Sequence, residues 1–158
     1  MTNYPLILNF KELVSGNGFL SEVCGRAHLV MRLEDGAWWM SGVNPGGIAA
    51  KGSTQQEAYT TFCKTISEVI QDISSDSSSF ADFKSKVEVF VAQTDEEEDA
   101  LFNQARQAIR GGAAVDAAFQ GLKRDTAETK PYCEVTRIDK PEKLTAKNNS
   151  NFIQKVAA

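Results

Sequence analysis

Leu29-Val30-Met31-Arg32-Leu33-Glu34-Asp35-Gly36-Ala37-Trp38-Trp39-Met40 is the stretch that decides the fold. Side chains alternate in character on both sides of Asp35-Gly36, a pair favoured in type I′ turns because both central residues must take positive φ. Such a turn sets a register in which Leu33 faces Trp38, Arg32 faces Trp39, Met31 faces Met40 and Val30 faces Ser41. Successive strand residues point to opposite faces, so the two tryptophans part company. Trp38 joins Leu33, Met31 and Met40 on the buried face, whereas Trp39 lies on the outer face beside Arg32. A cation–π contact of roughly 0.5–1 kcal/mol is expected there.

Upstream, the same alternation runs from Gly18 to Glu34. Phe19, Val23, Gly25, Ala27, Leu29, Met31 and Leu33 share the core face, and Glu22, Cys24, Arg26, His28, Val30, Arg32 and Glu34 share the other. An apolar patch on an outer face commonly marks an interface. Arg26, His28, Val30, Arg32 and Trp39 are therefore candidate partner-binding residues, unless later parts of the chain fold over them. Ser15-Gly16-Asn17-Gly18 breaks the chain by turn chemistry. Before it, Leu6-Ile7-Leu8, Phe10, Leu13 and Val14 fit either a strand or a helical turn.

Downstream, Ala37 to Val43 forms the second strand of the hairpin, Asn44-Pro45-Gly46-Gly47 a tight loop, and Ile48 to Lys51 a short strand. Ser53 with Gln56, or Thr54 with Glu57, then offers a capping box, in which side chains satisfy amides that a helix start leaves unpaired. From Thr54 to Ile73, Ala58, Phe62, Ile66, Val69, Ile70 and Ile73 recur at spacings of three and four, an apolar stripe destined for the Phe19/Leu29/Trp38 face.

The run Pro45, Gly47-x-x-x-x-Gly52-Ser53-Thr54-x-x-Glu57-Ala58, following two antiparallel strands, resembles the core pattern of the HicB-like family over about residues 18 to 73. Ser53 stands where that family more often has aspartate, and nothing after this unit resembles its DNA-reading appendages. The resemblance implies an α+β fold, with an antiparallel β-β-β-α-β sheet similar to half of a ribonuclease-H-like fold and one main packing helix. It also implies a non-enzymatic, antitoxin-like role of binding a small partner protein. Gly47 to Thr54 imitates a phosphate-binding loop as well, but Ser53 replaces the lysine that would reach the phosphates, and the interior reads as strand.

Ser74 to Ser79 reads as a polar, mobile linker, and Val87 to Val91 as a fourth strand reached by a right-handed crossover. Thr94, with Glu97 as its partner, is expected to cap a helix in which Ala100, Leu101, Ala105, Ala108 and Ile109 face inward and Gly111-Gly112 stops the run. Acids from Asp95 to Asp99 complement the helix dipole better than they form a metal site, because consecutive side chains diverge. A further helix is expected from Ala114 to Lys123, with Val115, Ala118, Phe119 and Leu122 inward, completing a helical hairpin. Tyr132 to Ile138 reads as a last strand, and Phe152, Ile153 and Val156 anchor a mildly basic tail. The expected organisation is a 1–92 domain with a 93–158 extension packed on it.

The 158 residues include 42% hydrophobic ones, enough for one domain with a core, and carry a net charge of −4 with dispersed basic residues, which argues against nonspecific nucleic-acid binding. The three cysteines, Cys24, Cys63 and Cys133, are too far apart in sequence to suggest a pair and fit reduced thiols, and no apolar run reaches bilayer length, so a cytoplasmic protein is expected. His28 is the only histidine. It lies four residues from Cys24 along one strand, about 13 Å by strand rise, too far for proton transfer. No catalytic residues, metal or cofactor are therefore assigned, and the partner is expected to be a protein or a second copy. The alternatives are a DNA-binding regulator using residues 94–124 and a small-molecule binder at residues 47–54.

Overall fold

The computed structural model describes residues 2–119 and 130–140. Its spine is β2 (Phe19–Glu34), joined at Asp35-Gly36 to β3 (Ala37–Asn44). Asp35 and Gly36 take φ of 51° and 75°, as a type I′ turn requires, and all four expected cross-strand pairs form.

The N-terminal segment, open between strand and helix in the sequence, is β1 (Asn3–Gly16), which pairs with β2 from Asn3↔Arg32 to Gly16↔Phe19. Tyr4, Leu8 and Val14 give it a buried inner face. Opposite Phe10, Gly25 has no side chain, and a Cβ there would collide with the Phe10 ring. The other edge of β2 is shared. Ser21 to Arg26 pair with β5 (Tyr132–Arg137), His28 to Glu34 pair with β3, and the register shifts between His28 and Leu29. β4 (Ala49–Gly52) adds to β3, one residue later than the sequence suggested. The result is an antiparallel sheet in an α+β fold.

Two helices cover the inner face. α1 (Gln55–Ser75) buries Ala58, Phe62, Ile66 and Ile70 at four-residue spacing. Burying each large member of that row contributes about 1.5–3 kcal/mol. α2 (Phe80–Ala92) occupies the place expected for a fourth strand. Its Phe83, Val87 and Val91 are buried at helical spacing, whereas Val89, which an alternating strand would bury with them, is 61% exposed. Tertiary burial overrides the β-propensity of a valine-rich run, and Ser79 caps the helix by accepting from the Asp82 amide.

The serine run ends α1 at Ser75 and leads through a short turn to Ser79, the cap of α2. Ser74 Oγ donates to the Ser15 carbonyl at 3.1 Å, Ser77 Oγ to the Ile73 carbonyl at 2.6 Å, and the Asn17 side chain to the Ser77 carbonyl at 3.0 Å.

α3 (Glu96–Arg110) lies on the opposite face of the sheet, against β1, β2 and β3. Its cap is Asp95, which accepts from the Glu98 amide, one residue beyond the expected Thr94. Its buried anchor is Phe102; Ala100 and Ala108 of the expected stripe are exposed. After Gly111-Gly112 the expected helix from Ala114 is a 3-10 turn at Ala117–Phe119, and the remainder of that helix, with Leu122, lies outside the described residues. So do the tail anchors Phe152, Ile153 and Val156.

Candidate functional site

The outer face carries the five residues expected to bind a partner, and α3 covers most of it. Val30 is fully buried and His28 nearly so, with Val43 and Phe102 beside them. The Phe102 ring stacks on His28, centroids 4.4 Å apart and 11° from parallel. Arg32 forms an ion pair with Glu98 in the first turn of α3, and Lys51, not Arg32, lies over the Trp39 ring at 5.4 Å. The acidic start of α3 draws the guanidinium away from the tryptophan. Arg26 sits apart, 5.0 Å above the Tyr132 ring, with Nε donating to Asn9 Oδ1 at 3.2 Å. His28 and Val30 are interior, so at these positions the chain does fold over the face, the alternative that the sequence left open.

The residues of the 45–58 motif have structural roles. Pro45 is buried, and its loop holds the α2–α3 connection: Gly46 N–H donates to the Gln93 carbonyl at 2.8 Å and Asp95 N–H to the Val43 carbonyl at 3.0 Å. Gly47 takes φ +77°. At Gly52 a Cβ would collide with the Ala58 amide nitrogen, so its absence lets the start of α1 close onto β4, with Ala58 fully buried. Thr54 Oγ1 accepts from the Glu57 amide at 3.0 Å, and Glu57 Oε2 reaches back to Ser53, accepting from its Oγ at 2.6 Å and its amide at 3.2 Å. Those hydrogen bonds from Ser53 hold the Glu57 carboxyl below its ordinary pKa. The interior of the phosphate-loop look-alike is the paired strand β4, with Ala49 to Gly52 on Ser41 to Trp38.

The three thiols are free, and burial is the first cause that raises the pKa of each, for Cys133 to about 11. At neutral pH they are protonated and weakly nucleophilic. Among the described residues no group of three or more His, Cys, Asp or Glu side chains is placed to hold a metal ion. No helix among them is long and apolar enough to cross a membrane. α3, one member of the expected DNA-reading helix pair, has its apolar anchor turned onto the sheet and acids in its first turn.

The structure adds a cavity that strand-by-strand reading did not show. α2 and Phe80 pack near Phe19, towards the β5 half of the sheet, leaving α1 to cover the inner face near β1 and β3. Between the sheet and the first two turns of α1 lies a cavity of about 620 Å³. Leu6 of β1 and Trp38 of β3, half-buried, form its accessible apolar wall over the buried Leu8, Leu29, Met31 and Met40, with Ser53 to Gln56 and Tyr59 at the helix start, and the pocket is open to solvent on that side. The 3-10 turn lies beside it: Phe119 stacks on Tyr4 at 5.2 Å and meets Trp38 edge-on at 5.7 Å, and Gln55 Nε2 donates to the Ala118 carbonyl at 2.6 Å. The facing pair Met31↔Met40 was legible from the hairpin register, but the space beside it depends on where the helices stop.

Comparison with family models, curated proteins and solved structures finds no match to this chain.

Proposed function

We propose that this chain is a non-enzymatic binding module that holds a small apolar ligand between the inner face of its sheet and the start of α1. The observation that carries this reading is the cavity of about 620 Å³ walled by leucine, methionine and tryptophan side chains. Ligand sites fall in the range of roughly 300–1,000 Å³ and join an apolar lining to a few placed polar groups. Among the described residues no carboxylate, imidazole, thiol or amine is found in the lining, which suits retention of a ligand better than its conversion. The test is titration with the uncharged dye N-phenyl-1-naphthylamine. Saturable one-to-one fluorescence enhancement is expected, abolished in Leu6→Trp, which fills the space from a half-buried position. Equal binding by wild type and a folded Leu6→Trp, verified by circular dichroism, would place the dye elsewhere and end this reading.

A second reading, protein binding of the HicB-like kind, draws support from β1. Its 14 residues pair with β2 along one edge only, and among the described residues nothing pairs with the other. Such an edge can accept a further strand. On this reading a second copy adds through β1, so light scattering after gel filtration should show a dimer that Leu13→Pro converts to a monomer. A monomeric wild type at tens of micromolar would reject self-association.

A further inference from the structure

We propose that the ligand is an uncharged apolar molecule bearing a hydroxyl group, an inference that rests on the cavity reading above. Among the described residues, none of the side chains lining the cavity is charged. An ionic head group held against the apolar wall would gain no counter-ion from a described residue, which disfavours either sign.

An anion meets a second obstacle where backbone amides would otherwise welcome it. The start of α1 carries the positive end of the helix dipole. Glu57 already answers it, with its carboxylate held at Ser53 by hydrogen bonds of 2.6 and 3.2 Å and kept ionised by them. A carboxylate or phosphate drawn to that helix start would meet this charge, and among the described residues no lysine or arginine lines the cavity to offset it.

The polar rim calls for a group that both donates and accepts. Gln55 and Gln56 occupy the first two positions of α1, where backbone N–H groups have no intrahelical acceptor. The next amide, that of Glu57, is taken by Thr54 Oγ1. The side-chain nitrogens of these two glutamines are engaged as well, Gln55 Nε2 with the Ala118 carbonyl at 2.6 Å and Gln56 Nε2 with Thr60 Oγ1 at 3.2 Å. Each amide therefore offers its Oε1 as an acceptor. A hydroxyl can donate to such an oxygen while accepting from a backbone N–H; a carboxylate only accepts and an ammonium only donates.

The experiment uses the full chain with Trp39→Phe, which leaves Trp38, on the cavity wall, as the sole tryptophan. It is titrated at pH 7.5 and constant ionic strength with 1-octanol, octanoate and octylamine, and binding is read by Trp38 fluorescence and by calorimetry. Octanol should bind saturably at one per chain, with octanoate and octylamine at least about tenfold weaker, a gap of about 1.4 kcal/mol. Octanoate or octylamine binding as tightly as octanol would overturn the hydroxyl inference and leave the cavity reading standing. Absence of a fluorescence change and of heat with all three probes, in a chain whose circular dichroism matches wild type, would overturn both.

Discussion

Replacing Phe102 by alanine tests whether α3 is an integral layer of the fold. Phe102 is 1% exposed and is the one residue of α3 that is fully buried. One face of its ring lies 4.4 Å from His28, its flank meets Val30 and Val43, and the Arg106 guanidinium lies 5.9 Å from its centroid. Removing a buried phenylalanine ring costs about 3–5 kcal/mol. The ring stack itself accounts for roughly 0.5–1.5 kcal/mol beyond area burial. Among the contacts that remain to hold α3 are the Arg32–Glu98 ion pair, the two backbone hydrogen bonds around Gly46 and Asp95, and partial burial of Leu101 and Ile109. Each net backbone hydrogen bond contributes about 1 kcal/mol, so these contacts are of the same order as the loss.

Phe102→Ala should therefore lower the urea-unfolding free energy by about 3–4 kcal/mol if the chain unfolds in one step. If α3 detaches first, amide hydrogen exchange should speed up across residues 96–110 and at His28 to Arg32, while the β1–β2 amides at the far end stay protected. The assay is denaturation followed by circular dichroism, paired with exchange read by mass spectrometry. A stability loss below about 1 kcal/mol together with unchanged protection of α3 would refute the reasoning, because it would mean that Phe102 does not anchor the helix.

Three further outcomes are expected. Gly52→Ala forces a methyl group into the Ala58 amide and should lower stability by about 1–3 kcal/mol in urea melts, and an unchanged midpoint would show that β4 and α1 separate freely. Asp139 is held at about 2 by its hydrogen bond from Arg137, against an ordinary 3.8, so its contribution is present above pH 3.8 and disappears as pH falls towards 2. The melting-temperature difference between wild type and Asp139→Asn should shrink over that window, and a difference independent of pH would contradict the pairing. Because the Cys133 thiol is pushed up to about 11, chiefly by burial, it should react with a disulfide reagent at pH 8 far more slowly in the native chain than in 6 M guanidinium. Equal rates in double variants that retain only Cys133 would show that the burial is not real.

α3 covers much of the outer face, and the described lining of the inner cavity is uncharged. The sequence motif around Pro45, Gly52 and Glu57 serves to seat α1 on β4 and to hold the α2–α3 connection against the sheet. Those contacts also place Gln55 and Gln56 at the cavity rim, so the segment most recognisable in sequence acts on the candidate site by position.

What was determined by sequence alone is what local chemistry controls. Asp35-Gly36 permits one tight turn, and that turn dictates every pair from Glu34↔Ala37 to Val30↔Ser41. Thr54 and Glu57 start α1, and Phe62, Ile66 and Ile70 choose its buried side, because capping and a four-residue period act within one or two turns of chain. Tertiary structure decided the remainder. Val87 to Val91 alternates like a strand, yet it packs as a helix against β2 and β5, burying Phe83, Val87 and Val91 and leaving out Val89, which a strand would have buried with them. Phe102 became an anchor because the Pro45 loop delivers α3 to the face bearing His28 and Val30, which are distant in sequence. Among the described residues the cavity is bounded by where α1, α2 and the 3-10 turn meet the inner face, and those contacts between distant segments are encoded by no local pattern.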